Sequence, residues 1–276
     1  MTQLNSRLGL DADQRVVIVN ADDLGLSQSA NDGVFAALRD GAASSASLMV
    51  PCPWSRHAAA EYRGEDVGVH LTLIAEFDAY RWGPITHAPS LLDGDGGFPR
   101  TVADLWDHAD LDEVRREARA QIERAVLWGF DLTHLDSHKG ALVARPEFFD
   151  VYVDLALEFR LPIRLPAKDD EDRAGFPFRS LAADEGLVFP DHLVMLDGTG
   201  DTLAELESAI AELEPGVTEL TLRPATDTPE LRAITPQWRD RVDDLTVATR
   251  HLPALLAGAG VHRIGWRPLQ SLVQAG

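Results

Sequence analysis

The sequence predicts an α/β protein: a distorted TIM-like (β/α) barrel of seven or eight mostly parallel strands. Two observations predict it. Short runs rich in β-branched residues alternate with amphipathic stretches along the 276 residues. Polar residues fall at the C-terminal ends of the first, third, fourth and seventh predicted strands, which in a barrel open onto one face. An open doubly wound sheet has the same strand count, but it holds its site at one switch point fed by fewer strands. The chain reads as a single domain, 1–276, with a polar N-terminal extension over 1–14 and a long loop over 74–108 as a candidate lid.

The elements follow in order. "RVVIVNA" is a buried first strand, and Ser27 caps a helix that Gly41 ends. "ASSASLMVP" is strand two, "SRHAAAEYRG" a short helix and "DVGVHLTL" strand three. The 111–130 segment is the clearest helix, with Val114, Ala118, Ile122, Ala125 and Val126 on one stripe. "DLTHLDSH" is strand four, followed by a helix opened by Pro146, and "LPIRLP" reads as strand five. Residues 168–189 are poorly patterned. "DHLVMLDG" is strand six, "DTLAELESAIAELE" a helix and "GVTELTLRP" strand seven. Two helical segments over 236–259 precede a last strand in "VHRIGWRPL".

Apolar content of 45% with 25% charged residues is a globular balance, not a disordered one. The net charge of −20 repels nucleic acid and anionic membrane, so neither is an expected partner. Cys52 is the only cysteine, which excludes a disulfide framework and any site built from several thiolates. The polar N-terminus lacks the apolar core of a signal peptide, so the expected compartment is the cytoplasm.

The chemistry concentrates in "VVIVNADDLGLS", where a buried strand ends on Asn20, Asp22 and Asp23. Adjacent strand residues face opposite ways, so both carboxylates reach one site only if the strand ends there, and "LGLS" supplies the break. Asp23, His70 in strand three and His138 past strand four would meet at one mouth. One carboxylate and two imidazoles suit a divalent ion such as Zn, Mg, Mn, Co or Fe. Asp22 can then accept the proton of an attacking water. His134, Asp136 and His138 share parity and need partners, because polar groups buried unpaired are costly. Read singly, an aspartate pair at a strand end is more often a solvated turn or helix cap, and a strand histidine such as His70 more often a satisfied core residue.

"VNADDLGLS", "GVHLTL", "THLDSH" and the late "TELTLRPATDTPELRAITPQWRDRVDDL", in this order, resemble the YdjC-like carbohydrate deacetylase family, of the chitooligosaccharide deacetylase type. The likeness runs from about residue 15 to residue 250. It implies a TIM-like barrel that removes an acetyl group from an N-acetylated sugar with a divalent metal ion. Residue by residue, it implies Asp23, His70 and His138 as ligands, Asp22 as the general base, and His134 and Asp136 as residues that orient His138. Where the family's late motif reads Leu-His-Pro, this chain has "LRP", so Arg223 stands in place of the histidine that would protonate the leaving amine. Arginine stays charged and cannot be that acid, though it can stabilise an oxyanion or hold an anionic substrate group. Asp22 returning the proton is then the simplest expectation. Two alternatives follow from Arg223: a metal hydrolase of another, anionic substrate, and a carbohydrate-binding homologue with impaired turnover. Arg164 and Trp82 are further substrate candidates, by a sugar hydroxyl contact and by ring stacking. The expected partners are a small-molecule or oligosaccharide substrate, with a homodimer as an option.

Overall fold

The computed structural model describes residues 3–196, 198 and 200–275. Seven strands form one sheet: β1 (Arg15–Leu24), β2 (Ser45–Leu48), β3 (Val67–Leu71), β4 (Leu132–Ser137), β5 (His192–Met195), β6 (Gly216–Leu222) and β7 (His262–Ile264). All pairings are parallel, in the order β4-β3-β2-β1-β6-β5, with β7 beside the first half of β1. The sheet curls into a half-barrel flanked by helices, which is the predicted TIM-like class. Crossover helices cover the outside, so β1 is buried along almost its whole length, with an apolar first half that gives way to Asn20, Asp22 and Asp23.

The predicted fifth strand, "LPIRLP", shrinks to one bridge between Ile163 and Leu135. Pro162 and Pro166 carry no N–H, which leaves little ladder to build. The segment still ties the edge strand β4 to the stretch just before β5. Leu135 N donates to Pro162 O at 3.0 Å, Arg164 N to Leu135 O at 2.9 Å, and Ile163 N to Val188 O at 3.0 Å.

Strand parity sorts the interior into layers. At the bottom, Val16, Ile18 and Val217 pack with Trp266 and Leu4. Above them lie Asn20, Ser45, Ser47, Asp136 and Glu219, all buried and polar. Gly68 of β3 is required there: a Cβ would collide with the backbone and ring of His134.

Several expectations are corrected. The N-terminal extension forms the helix Gln3–Arg7, whose Leu4 joins the lower core. Val126, inside the helix Leu111–Leu127, is 52% exposed, since at 3.6 residues per turn it has rotated off the stripe that buries Val114, Ala118, Ile122 and Ala125. The 74–108 loop closes on a helix, Val102–His108, capped by Thr101. Residues 168–189 contain two short helices, Asp170–Ala174 and Phe178–Asp184. The 236–259 region is one helix, Trp238–Gly258, which carries Pro253 inside it. The predicted "DHLVMLDG" strand stops at Met195, and its Asp197 lies outside the described residues. Among the described residues, no helix is long and apolar enough to cross a membrane.

Candidate active site and metal centre

Asp22 and Asp23 reach the same site by a route other than strand termination. Pairing runs on to Leu24, with a register shift between Ala21 and Leu24, and Asp23 sits at φ 69°. Asp22 keeps the inward parity of Val16, Ile18 and Asn20. The bulge at Asp23 rotates the next side chain back toward the same mouth. Asn31, on the helix Gln28–Arg39, holds the turn by accepting from Gly25 N at 2.7 Å and donating to Trp54 O at 3.0 Å.

Three ligand atoms converge there. His70 Nε2 and His138 Nδ1 lie 3.0 Å apart, and Asp23 Oδ1 is 3.7 Å and 3.8 Å from them. All three residues are buried. Such spacings match the edges of a coordination polyhedron with metal–ligand bonds of about 2 Å. Each ligand's remaining polar atom is anchored. His70 Nδ1 meets Asp136 Oδ1 at 2.6 Å, His138 Nε2 meets Glu76 Oε2 at 3.0 Å, and Asp23 Oδ2 meets Arg241 at 2.7 Å. Outer partners of this kind set ring tautomer and orientation at metal sites, so the residues fit a divalent cation.

Electrostatics agree. Burial raises the Asp23 carboxyl, but Arg241, His138 and His70 outweigh it and hold the group well below the usual carboxylate range. Burial would lower His70, yet Asp136, with Asp22 and Asp23, pulls it up to about 9. Glu76 resists the upward push of burial because His138 and Lys139 hold it at about 2.

Arg164 is the hub beneath this centre. Its guanidinium grips both oxygens of Asp22 at 2.8 and 2.9 Å, Asp136 Oδ2 at 2.7 Å and Glu219 Oε1 at 2.6 Å. Asn20 adds 2.8 Å to Asp22, and Ser47 adds 2.9 Å to Asp136. Asp22, His70 and Asp136 also lie close enough to hold an ion, but Arg164 already occupies both carboxylates.

The centre forms the floor of a cavity of about 770 Å³. Trp106, Val143, Phe178 and Met195 give the cavity apolar lining, and Arg223 lines it too. The Arg223 side chain makes no hydrogen bond or ion pair among the described residues, while its backbone N donates to Asp244 Oδ2 at 2.8 Å.

Asp22, Asp23, His70 and His138 therefore come together, with Arg223 at the rim. Arg164 sits under the site as a buried ion pair. Asp136 orients His70, where His138 was expected. Trp82 does not line the cavity: its indole donates to Ile74 O at 2.9 Å within the loop, and Trp106 is the tryptophan at the wall. His134 does not touch His138. It stacks on Trp266 with ring centres 4.4 Å apart, and its Nδ1 pairs with the Thr133 hydroxyl. Burial pushes its pKa down to about 3, only partly countered by Asp136. The unfolded chain therefore takes up a proton at this position that the fold refuses, and stability falls as pH drops from about 6.5 toward 3. The His134→Phe protein, which keeps the stack, should show a shallower acid-side loss, by about 1 kcal/mol per pH unit, in denaturant melts between pH 6.5 and 4.5.

Glu76, Arg241, Glu219 and Asp244 escaped the sequence reading. Glu76 is a lone acid in "LIAEF", and Arg241 and Asp244 are ordinary charges on a polar helix. Only the i, i+3 spacing of Arg241 and Asp244 hints that they share a face.

The model for YdjC-like protein matches residues 16–252. The chain belongs to the YdjC-like family. Among YdjC-like relatives, a carbohydrate deacetylase of Thermus thermophilus is 37% identical over 273 residues, covering 97% of this chain and 98% of that protein. A carbohydrate deacetylase of Geobacillus stearothermophilus is 34% identical, covering 94% and 99%. A crystal structure from Enterococcus faecalis V583, of a protein named for cellobiose-phosphate cleavage, superposes with a TM-score of 0.79 at 23% identity, covering 93% of this chain and 99% of that one. That likeness establishes the shared fold.

Proposed function

We propose that this YdjC-like chain is a metal-dependent carbohydrate deacetylase, hydrolysing the acetamide of an N-acetylated sugar. The convergence of Asp23 Oδ1, His70 Nε2 and His138 Nδ1 within 3.0–3.8 Å carries this reading, and the names of the full-length relatives support it. A bound divalent ion, Zn, Mg, Mn or Co, would polarise the acyl carbonyl and acidify water. Asp22, fixed and charge-balanced by Arg164, takes the proton of the attacking water. Arg223 and the apolar wall seat the sugar, with Arg223 placed to meet developing negative charge.

A second reading rests on the Arg223 guanidinium, which has no partner among the described residues: the substrate carries a phosphate or carboxylate that this group clasps. One experiment addresses both. Purified protein is assayed by elemental analysis and by acetate release from N-acetylglucosamine, diacetylchitobiose and their phosphorylated forms. One ion per chain and acetate release that a chelator abolishes are expected, with the His70→Ala protein binding no ion. A preference for phosphorylated forms that disappears in Arg223→Ala selects the second reading. An ion-loaded protein that binds sugar without releasing acetate would make the chain a binding homologue.

A further inference from the structure

Amide cleavage moves two protons: one off the attacking water, one onto the departing nitrogen. Asp22 is engaged for the first, with both oxygens held by Arg164 and one also by Asn20. Arg223, at the sequence position where a histidine would serve for the second, is permanently protonated. A carboxyl group stands directly behind it. Asp244 lies on the helix Trp238–Gly258, three residues after Arg241, whose guanidinium holds the ligand Asp23. Residues so spaced share a helix face, and both line the cavity. Asp244 is 6% exposed. Its Oδ2 accepts from Arg223 N at 2.8 Å, and its Oδ1 has no hydrogen-bond partner among the described residues.

We propose that Asp244 is the general acid that delivers the proton to the departing sugar nitrogen. The assignment rests on the deacetylase reading above. Water oxygen forms a bond to the acyl carbon as its proton passes to Asp22. The C–N bond then breaks, its electron pair stays on nitrogen, and nitrogen takes the Asp244 proton. Acetic acid and amine leave, the acid ionising to acetate, Asp22 releases its proton to solvent, and Asp244 regains one.

The surroundings suit the role. Burial raises the Asp244 carboxyl, the Arg223 amide and guanidinium and Arg241 pull it back, and Asp240 adds a raising push, leaving it at about 6. An acid with a pKa near the working pH combines a usable protonated fraction with a strong drive to transfer.

The decisive measurement compares two acetyl substrates on the ion-loaded enzyme: diacetylchitobiose, whose amine must be protonated to leave, and 4-nitrophenyl acetate, whose phenolate needs no proton. In Asp244→Asn the asparagine can still accept from Arg223 N but has no acidic proton. The ratio of amide to ester turnover should fall about 100-fold, within the range of general-acid contributions. Asp244→Glu should recover part of it, with the alkaline limb of the amide pH profile displaced. An unchanged ratio, whether both activities persist or both fall together, overturns the assignment, and persistence would return the proton transfer to Asp22. A wild-type enzyme inert toward both substrates removes the deacetylase reading itself, a result distinct from the variant's failure.

Discussion

The Asp22→Asn enzyme should release acetate about 1,000-fold more slowly than the wild type while keeping its bound ion. General-base contributions of about 10²–10⁴ set the scale. Asparagine matches aspartate in shape and can still accept from Arg164 and Asn20 through its amide oxygen, but it cannot take a proton from water. The ion should persist because the three converging donors are Asp23, His70 and His138, all untouched. Arg164 keeps Asp136 and Glu219 as partners, so the fold is preserved. The paired readout is metal stoichiometry and kcat on the same preparation. Full occupancy with unchanged turnover would take Asp22 out of the reaction.

Arg164→Ala should produce the largest stability loss. One guanidinium balances three buried carboxylates, Asp22, Asp136 and Glu219, and these contacts raise the arginine's own pKa against the opposing effect of burial. Removing one partner of a buried ion pair costs about 3–5 kcal/mol because the remaining charge is left without compensation. For a chain of this size that is a drop in Tm of about 10 °C, read by calorimetry near neutral pH. Arg164→Lys should recover only part, since an ammonium lacks the planar fork that meets several carboxylates at once. A melting temperature within 2 °C of wild type in Arg164→Ala would mean that the network adds nothing to stability.

Residues 16–23 show how far the sequence could be read. The apolar run and its β-branched content indicate a buried strand, and Asn20 and Asp22 follow its inward parity. The route taken by Asp23 was not legible. The adjacent pair appeared to require that the strand end, whereas one residue at φ 69° turns the side chain while pairing continues. The motifs pointed to Asp22, Asp23, His70 and His138, and the fold brings these four together. Their supports were not legible: Glu76 arrives from the loop after β3 as a lone acid, and Arg241, though within the late family-like segment, comes from a helix more than 200 positions after Asp23. Trp82 was the stacking candidate in the 74–108 loop, but its indole is tied to Ile74 O and it is Trp106 that lines the cavity.

Local periodicity thus determined the parallel α/β class and the order of most elements, and motif resemblance singled out an aspartate and two histidines as candidate metal ligands. Tertiary structure alone decided which carboxylate steadies which ligand, that Arg164 lies beneath the site, and that Asp244 backs Arg223. The reason is physical. A strand or helix repeat encodes which face a side chain takes on its own element. A charge network depends on through-space distances of a few ångströms between residues far apart in the chain, and these exist only once the sheet has curled.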